Sequence, residues 1–240
     1  MKKLVFLIFM CVVSAMRLSA QEKDVTKFLG IPVDGTKSAM VQKLCQKGFV
    51  YDRQTDLLEG EFNGRKVIVS VVTNNNKVWR IMLQDAVASH ETDIKIRFNT
   101  LCRQFAQNSK YCYPCFDDEK DYIISDSEDI LHQILISKKR YEATFWQCGL
   151  SKEVFMKEAA AKVLKSFEEK EGLSAEELNE KYSPEEFAEK FKKYAPVVLD
   201  AEFEKLSKKS VWFMINETYG RYEILMFYDN ECNRANGEDL

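Results

Sequence analysis

Between Gly35 and Gly48 apolar positions recur every three or four residues. Met40, Val41, Leu44 and Cys45 form one stripe, with Thr36 ahead as an N-cap and Gly48 behind as a left-handed stop. This predicts an amphipathic helix with Phe49 folded back over its end. From Leu58 the period falls to two, and turn residues break the run at Asn63-Gly64 and at Asn74-Asn75-Asn76. Three strands are expected, Leu58 to Phe62, Arg65 to Thr73 and Lys77 to Leu83.

The pattern then starts again. Ile94, Phe98, Leu101, Cys102 and Phe105 share a helical face behind Ser89 as the expected cap. Strand-like stretches follow at Ile130 to Ser137, Tyr141 to Trp146, Val211 to Glu217 and Tyr222 to Tyr228, with Tyr219-Gly220 as the last hairpin turn. Leu44-Cys45-Gln46 and Leu101-Cys102-Arg103 occupy matching places in the two helices. The order reads as a diverged tandem repeat of α+β type, two units of helix packed on antiparallel sheet. Residues 21–86 would form the first unit and residues 87–240 the second.

A stretch at about 150–208 interrupts the second unit with a Lys, Glu and Ala texture that predicts helices throughout. Phe155, Ala159, Val163 and Phe167 form a stripe ending at Gly172. Capping boxes begin at Ser174 and Ser183, and Phe187, Phe191 and Tyr194 continue the apolar side until Pro196 is expected to stop it. The mixed charges read most simply as a solvated face with helical ion pairs.

The first 20 residues differ in kind from the rest of the chain. Lys2 and Lys3, an apolar run from Leu4 to Val13 and the small pair Ser19-Ala20 have the parts of a secretory signal peptide cleaved after Ala20. The run is shorter than the ~20 residues a membrane-spanning helix needs. Cys11 lies within it and Gln21 follows the expected cut, so a lipid-anchoring cysteine is not in place. A periplasmic or extracellular protein is expected. The chain carries 35 Lys and Arg against 38 Asp and Glu, and losing Lys2, Lys3 and Arg17 makes it more acidic. That balance disfavours nucleic acid or an anionic membrane as partner, because both need a clustered positive surface.

Cys112-Tyr113-Pro114-Cys115 has the spacing of a thiol redox motif. A reactive thiol needs a helix N-terminus or a nearby cation to lower its pKa. Here a predicted helix ends before Tyr111, and Asp117, Asp118, Glu119 and Asp121 follow, whose charges oppose a thiolate. A structural bridge or two ordinary loop thiols is the simpler reading, with a catalytic Cys112/Cys115 pair as the rival. Cys45 and Cys102 read as buried small hydrophobes, which leaves Cys112, Cys115, Cys148 and Cys232 in or near loops. No metal or cofactor is expected, since there is a single C-x-x-C and His90 and His132 stand apart from it. Hydrolase signatures are absent, and the acidic loops lack the order of a calcium loop.

Aromatic residues remain as candidates for function. Trp79, Trp146 and Trp212 all fall on predicted strands, where core packing accounts for most such residues. Trp79, Trp212 and Tyr222 are the candidate partner-binding aromatics, because interfaces favour such side chains as anchors.

Three segments, GIPVDGTKSAMVQKLCQKGF, GEFNGRKVIVSVVTNNNKVWRIML and YGRYEILMFYDNECNRANGEDL, resemble a family of secreted bacterial proteins. That family's fold looks like the tandem helix-and-sheet units of β-lactamase-inhibitory protein, and outer-membrane assembly lipoproteins of the SmpA/OmlA type share a related single unit. The resemblance covers both ends of the chain after Ala20 but not the helical insertion. It implies a noncatalytic binding role, toward a protein or cell-envelope component, and assigns no functional residue. The rival from another class is a periplasmic thiol-disulfide oxidoreductase using Cys112 and Cys115.

Overall fold

The computed structural model describes residues 24–114 and 121–235. The expected leader with its cut after Ala20, Cys115 and the acidic positions 117–119 lie outside the described residues. The fold is mixed α+β. A short ribbon, β1 (Lys27–Phe28) with β2 (Ile31–Pro32), precedes helix α1 (Lys37–Gln46) and the strands β3 (Val50–Asp52), β4 (Leu57–Phe62), β5 (Arg65–Asn74) and β6 (Lys77–Asp85). Then come α2 (Glu91–Gln107), β7 (Tyr111–Cys112), α3 (Ile130–Leu135) and β8 (Glu142–Gln147). Three helices, α4 (Lys152–Glu171), α5 (Ala175–Lys181) and α6 (Pro184–Ser207), lead to β9 (Ser210–Thr218) and β10 (Arg221–Asp229).

Eight strands form one antiparallel sheet in the order β3-β4-β5-β6-β10-β9-β8-β7. Three of its hairpins close with two residues in the left-handed region: Asn63 and Gly64 (φ 50° and 70°), Asn75 and Asn76 (45° and 62°), Tyr219 and Gly220 (53° and 72°). Turns of this hand match the twist of the flanking strands, and Asn and Gly enter them at little strain. These turns bound the strands close to where the period-two pattern places them.

Helices α1 and α2 cover one face of the sheet. Met40 and Leu44 descend from α1, and Ile94, Phe98, Leu101 and Phe105 from α2, onto Val69, Ile81, Phe145, Phe213 and Tyr228. Phe98 meets Phe213 edge-on with ring centroids 5.3 Å apart, and Phe105 lies 5.1 Å from Phe145. The Asn99 side chain, buried on α2, exchanges two hydrogen bonds of 2.8 Å with the backbone N–H and C=O of Ile124. It thereby satisfies a buried loop that no strand reaches. Phe28 of the ribbon packs against Phe49, Phe62 and Tyr228 and closes one end of this core.

Four expectations need correction. Ile130 to Ser137 is not a strand: the Asp129 carboxylate accepts from the His132 N–H and caps α3, which puts Ile130 in the core. Pro196 does not stop a helix but lies inside α6. An interior proline costs about 3 kcal/mol, which the apolar residues beyond it offset, since Leu199, Phe203 and Leu206 all pack onto the sheet edge. Cys102 is buried as expected, whereas Cys45 is exposed. Ser89 does not cap α2; its N–H and C=O bond Tyr222 of β10, and His90 takes the N-cap position.

The predicted stripe of α4 is buried at Phe155, Ala159, Val163 and Phe167, and Gly172 ends the helix at φ 67°. Both capping boxes are formed. Phe167 is ringed by Tyr182, Phe187 and Tyr194, so the helical lobe has a small core of its own. Its other contact is with the sheet, where Phe203 lies 6.1 Å from the Trp146 ring and stacks on Phe155.

Candidate functional site

In a strand, successive side chains point to opposite faces. Across the central strands one parity, Val69, Ile81, Ile224, Met226 and Phe213, is buried beneath α1 and α2. The other parity faces away from those helices. Its register aligns three cross-strand rows. One runs Ser70, Met82, Phe227, Trp212 and Thr144, and a second runs Ile68, Gln84, Leu225, Met214 and Glu142. A third begins Val72, Arg80, Asp229 and reappears at the far edge as Ser210, Trp146 and Cys112. At that edge the lobe covers the face, because Trp146 and Cys112 pack with Phe155, Leu199, Phe203 and Leu206. Over β5, β6, β10 and the middle of β9 the outer residues Ile68, Met82, Leu225 and Met214 stay half-buried, with one side to solvent.

The centre of this open face is a cation among rings. The Arg80 guanidinium lies 4.3 Å from the Trp79 ring centre, 4.7 Å from Phe227 and 5.5 Å from Trp212. Trp212 stacks on Phe227 with centroids 4.0 Å apart. Beneath them the Asp229 carboxylate, 2% exposed, accepts Arg80 Nε at 2.6 Å, Arg80 Nη2 at 2.7 Å and Trp212 Nε1 at 2.9 Å. Three donors satisfy a buried anion that would otherwise be strongly unfavourable. The rings and the guanidinium are thereby held in place before any partner arrives.

A register shift at Val72/Thr73 brings Trp79 into this group. The bulge lets Trp79 and Arg80, neighbours in sequence, lie on the same cluster. Farther along, the face turns polar: the Glu223 carboxylate accepts from Gln84 Nε2 and Asn216 Nδ2, both at 2.9 Å.

Of the three aromatic candidates, Trp79 and Trp212 come together here. Tyr222 does not: it is 2% exposed, on the helix-covered parity of β10, joined to Ser89. Placing Tyr222 in a partner-binding surface is therefore corrected, because its ring is already spent on the core. Arg80, Phe227 and Asp229 were missed. The signal available for Arg80 was its place beside Trp79 in a strand, and for Asp229 a carboxylate closing an otherwise apolar strand.

Cys112 lies on β7, half-buried, and Cys115 lies outside the described residues. The thiol that Cys112 touches is that of Cys148. Each thiol donates to a backbone carbonyl, Cys112 Sγ to Trp146 at 3.7 Å and Cys148 Sγ to Lys110 at 3.9 Å, and the neighbouring Cys148 thiol together with burial raises the Cys112 pKa. The same pairing lowers the Cys148 pKa, aided by the Leu150 backbone N–H and by Lys209. His90 contacts Arg221 at 2.7 Å and holds the N-cap position of α2, whereas β7 with Cys112 follows that helix's other end. Among the described residues no group of three or more His, Cys, Asp and Glu side chains could hold a metal ion, and no helix is long and apolar enough to cross a membrane.

No protein-family model, no curated protein and no solved structure matches this chain.

Proposed function

We propose that this is an exported, noncatalytic binding protein that recognises a protein of the cell envelope through the open face of its eight-stranded sheet. The observation that carries the reading is the cluster of Trp79, Arg80, Trp212 and Phe227 fixed over the buried Asp229 carboxylate. Tryptophan and arginine are the side chains on which binding energy most often concentrates. Holding them rigid beforehand lowers the ordering penalty of association. Beside them Met82, Leu225 and Met214 offer an apolar band, which calls for a partner that brings apolar side chains of its own.

The tandem reading of the fold belongs to the same proposal. α1 is followed by the strands β3 to β6 and α2 by β7 to β10, and the two sets meet through their last strands, so the sheet order mirrors about the β6–β10 pair. That symmetry supports two copies of one helix-plus-sheet unit, with α4 to α6 inserted into the second. Export is supported by the leader-like residues 1–20.

The test is capture from envelope extract with the wild-type chain and with Met82→Lys as paired baits. Met82 is half-exposed on the open face, so the substitution should shift stability by no more than about 1 kcal/mol. The reading expects a protein retained by the wild type and lost with Met82→Lys. A protein retained equally by both would refute it.

A further inference from the structure

The antiparallel pairing of Cys112 with Trp146 and the bond from the Cys148 N–H to the Lys110 carbonyl (3.1 Å) place Cys112 and Cys148 on the same face of adjacent chain segments, one diagonal step apart. Both sulfurs belong to the apolar patch where the helical lobe meets the sheet, with Trp146, Phe155 and Leu206 around them. Each also lies at the end of its strand, Cys112 closing β7 and Cys148 directly after β8. Gly149 follows in the left-handed conformation at φ 67°. A diagonal pair in mid-strand stands somewhat too far apart for a bond, whereas chain ends next to a glycine and to Pro114 can close that gap. We propose that Cys112 and Cys148, not Cys112 and Cys115, are the disulfide-forming pair of this protein, and that the bond fastens the root of the helical lobe to the outer sheet strand.

The reaction needs an oxidant of the disulfide class. The Cys148 thiolate attacks one sulfur of the oxidant and expels the other as a thiolate. The Cys112 thiol then gives up its proton and its sulfur attacks Cys148 Sγ, expelling the second thiolate. The balance is two protein thiols and one external disulfide giving one protein disulfide and two external thiols. Cys148 is 8% exposed, but what it exposes lines a cleft of about 750 Å³ that also holds Lys110, Lys209 and Gly149, and a reagent would reach it from that cleft. The lowering of its pKa favours the thiolate form that attacks. Cys112 fits the resolving role, since it is not part of that cleft's lining and packs instead against the apolar patch beneath the lobe, beside Cys148.

The test is oxidation of the purified full chain with oxidised glutathione at neutral pH, followed by denaturation, alkylation of remaining thiols and peptide mapping by mass spectrometry. The expected product is a peptide pair joined through Cys112 and Cys148, released by dithiothreitol, with two fewer alkyl groups on the intact chain and Cys102 still alkylated. Cys148→Ser should show no Cys112 cross-link to the 148 segment, and the wild-type map decides the matter should that variant fail to fold. Alkylation of both Cys112 and Cys148 after oxidation, or a bond from Cys112 to Cys115 or Cys232, would overturn the proposal.

Discussion

Arg80 and Asp229, 149 residues apart in sequence, sit opposite one another on β6 and β10 and form a two-pronged ion pair with bonds of 2.6 and 2.7 Å. The pair ties the two central strands together and holds the guanidinium among Trp79, Trp212 and Phe227. Removing one partner of a fully buried pair costs roughly 3–5 kcal/mol, because the other charge is left without compensation. Arg80 keeps partial contact with water, its side chain being 21% exposed. Arg80→Ala is therefore expected to lower unfolding free energy by about 2–3 kcal/mol in urea titration, and Arg80→Lys by less, since a lysine keeps the charge but not the fork.

Gly60 on β4 is required by a neighbour rather than by its own backbone. A Cβ there would stand 2.5 Å from Cδ1 of Phe49, the ring that folds back over the end of α1. Phe49 is itself buried in the core. Gly60→Ala should therefore destabilise the protein by about 1–3 kcal/mol, the range for overpacking. The double variant Gly60→Ala with Phe49→Leu should recover part of that loss, as read by denaturant midpoints.

Phe203 joins the helical lobe to the sheet through Trp146 and Phe155. Phe203→Ala is expected to cost about 3 kcal/mol of packing, concentrated at this junction. Limited proteolysis should then cut within α4 to α6 faster than in wild type, while the sheet core stays protected.

Glu171 closes α4 and accepts hydrogen bonds from Tyr182, Lys190 and Lys181, which hold its pKa down to about 2 from the ordinary 4.5. A carboxylate depressed by folding contributes stability that is complete above its unfolded value and is lost as pH falls through its folded one. The lobe should thus loosen between about pH 4.5 and pH 2, seen as faster amide exchange in α5 and the first turns of α6. Glu171→Gln should show part of that loosening at neutral pH and a smaller further change on acidification, the remainder coming from the capping carboxylates Glu177 and Glu186, whose pKa values are also held down.

Much of the fold was legible because its signals are local. Asn63-Gly64 and Tyr219-Gly220 mark hairpins wherever the strands go, and Ser174 and Ser183 announce helix starts within four residues. The segment Ile130 to Leu135 was misread because its apolar residues fit either period over so short a span, and a single carboxylate, Asp129, decided it. Pro196 misled for the opposite reason: packing of Leu199, Phe203 and Leu206 against residues far away in sequence outweighs the local penalty. The recognition face was legible in its residue types but not in its membership. Trp79 joins through a bulge, Trp212 through register with Phe227, and Tyr222 is excluded by falling on the other parity of the same strand. Such choices depend on which strands pair across the sheet, and no window of sequence contains that.

The face bearing Arg80, Trp79 and Trp212 is the proposed partner-binding surface. Its most direct test places a photo-reactive side chain singly at Met82, on that face, and at Ile96, exposed on helix α2, in the full chain exported by a cell. Illumination is expected to link Met82 to one defined envelope protein, Trp212→Ala in a still-folded chain to remove the adduct, and Ile96 to give none. Adducts from Ile96 with none from Met82, or equal adducts from both positions, would contradict it.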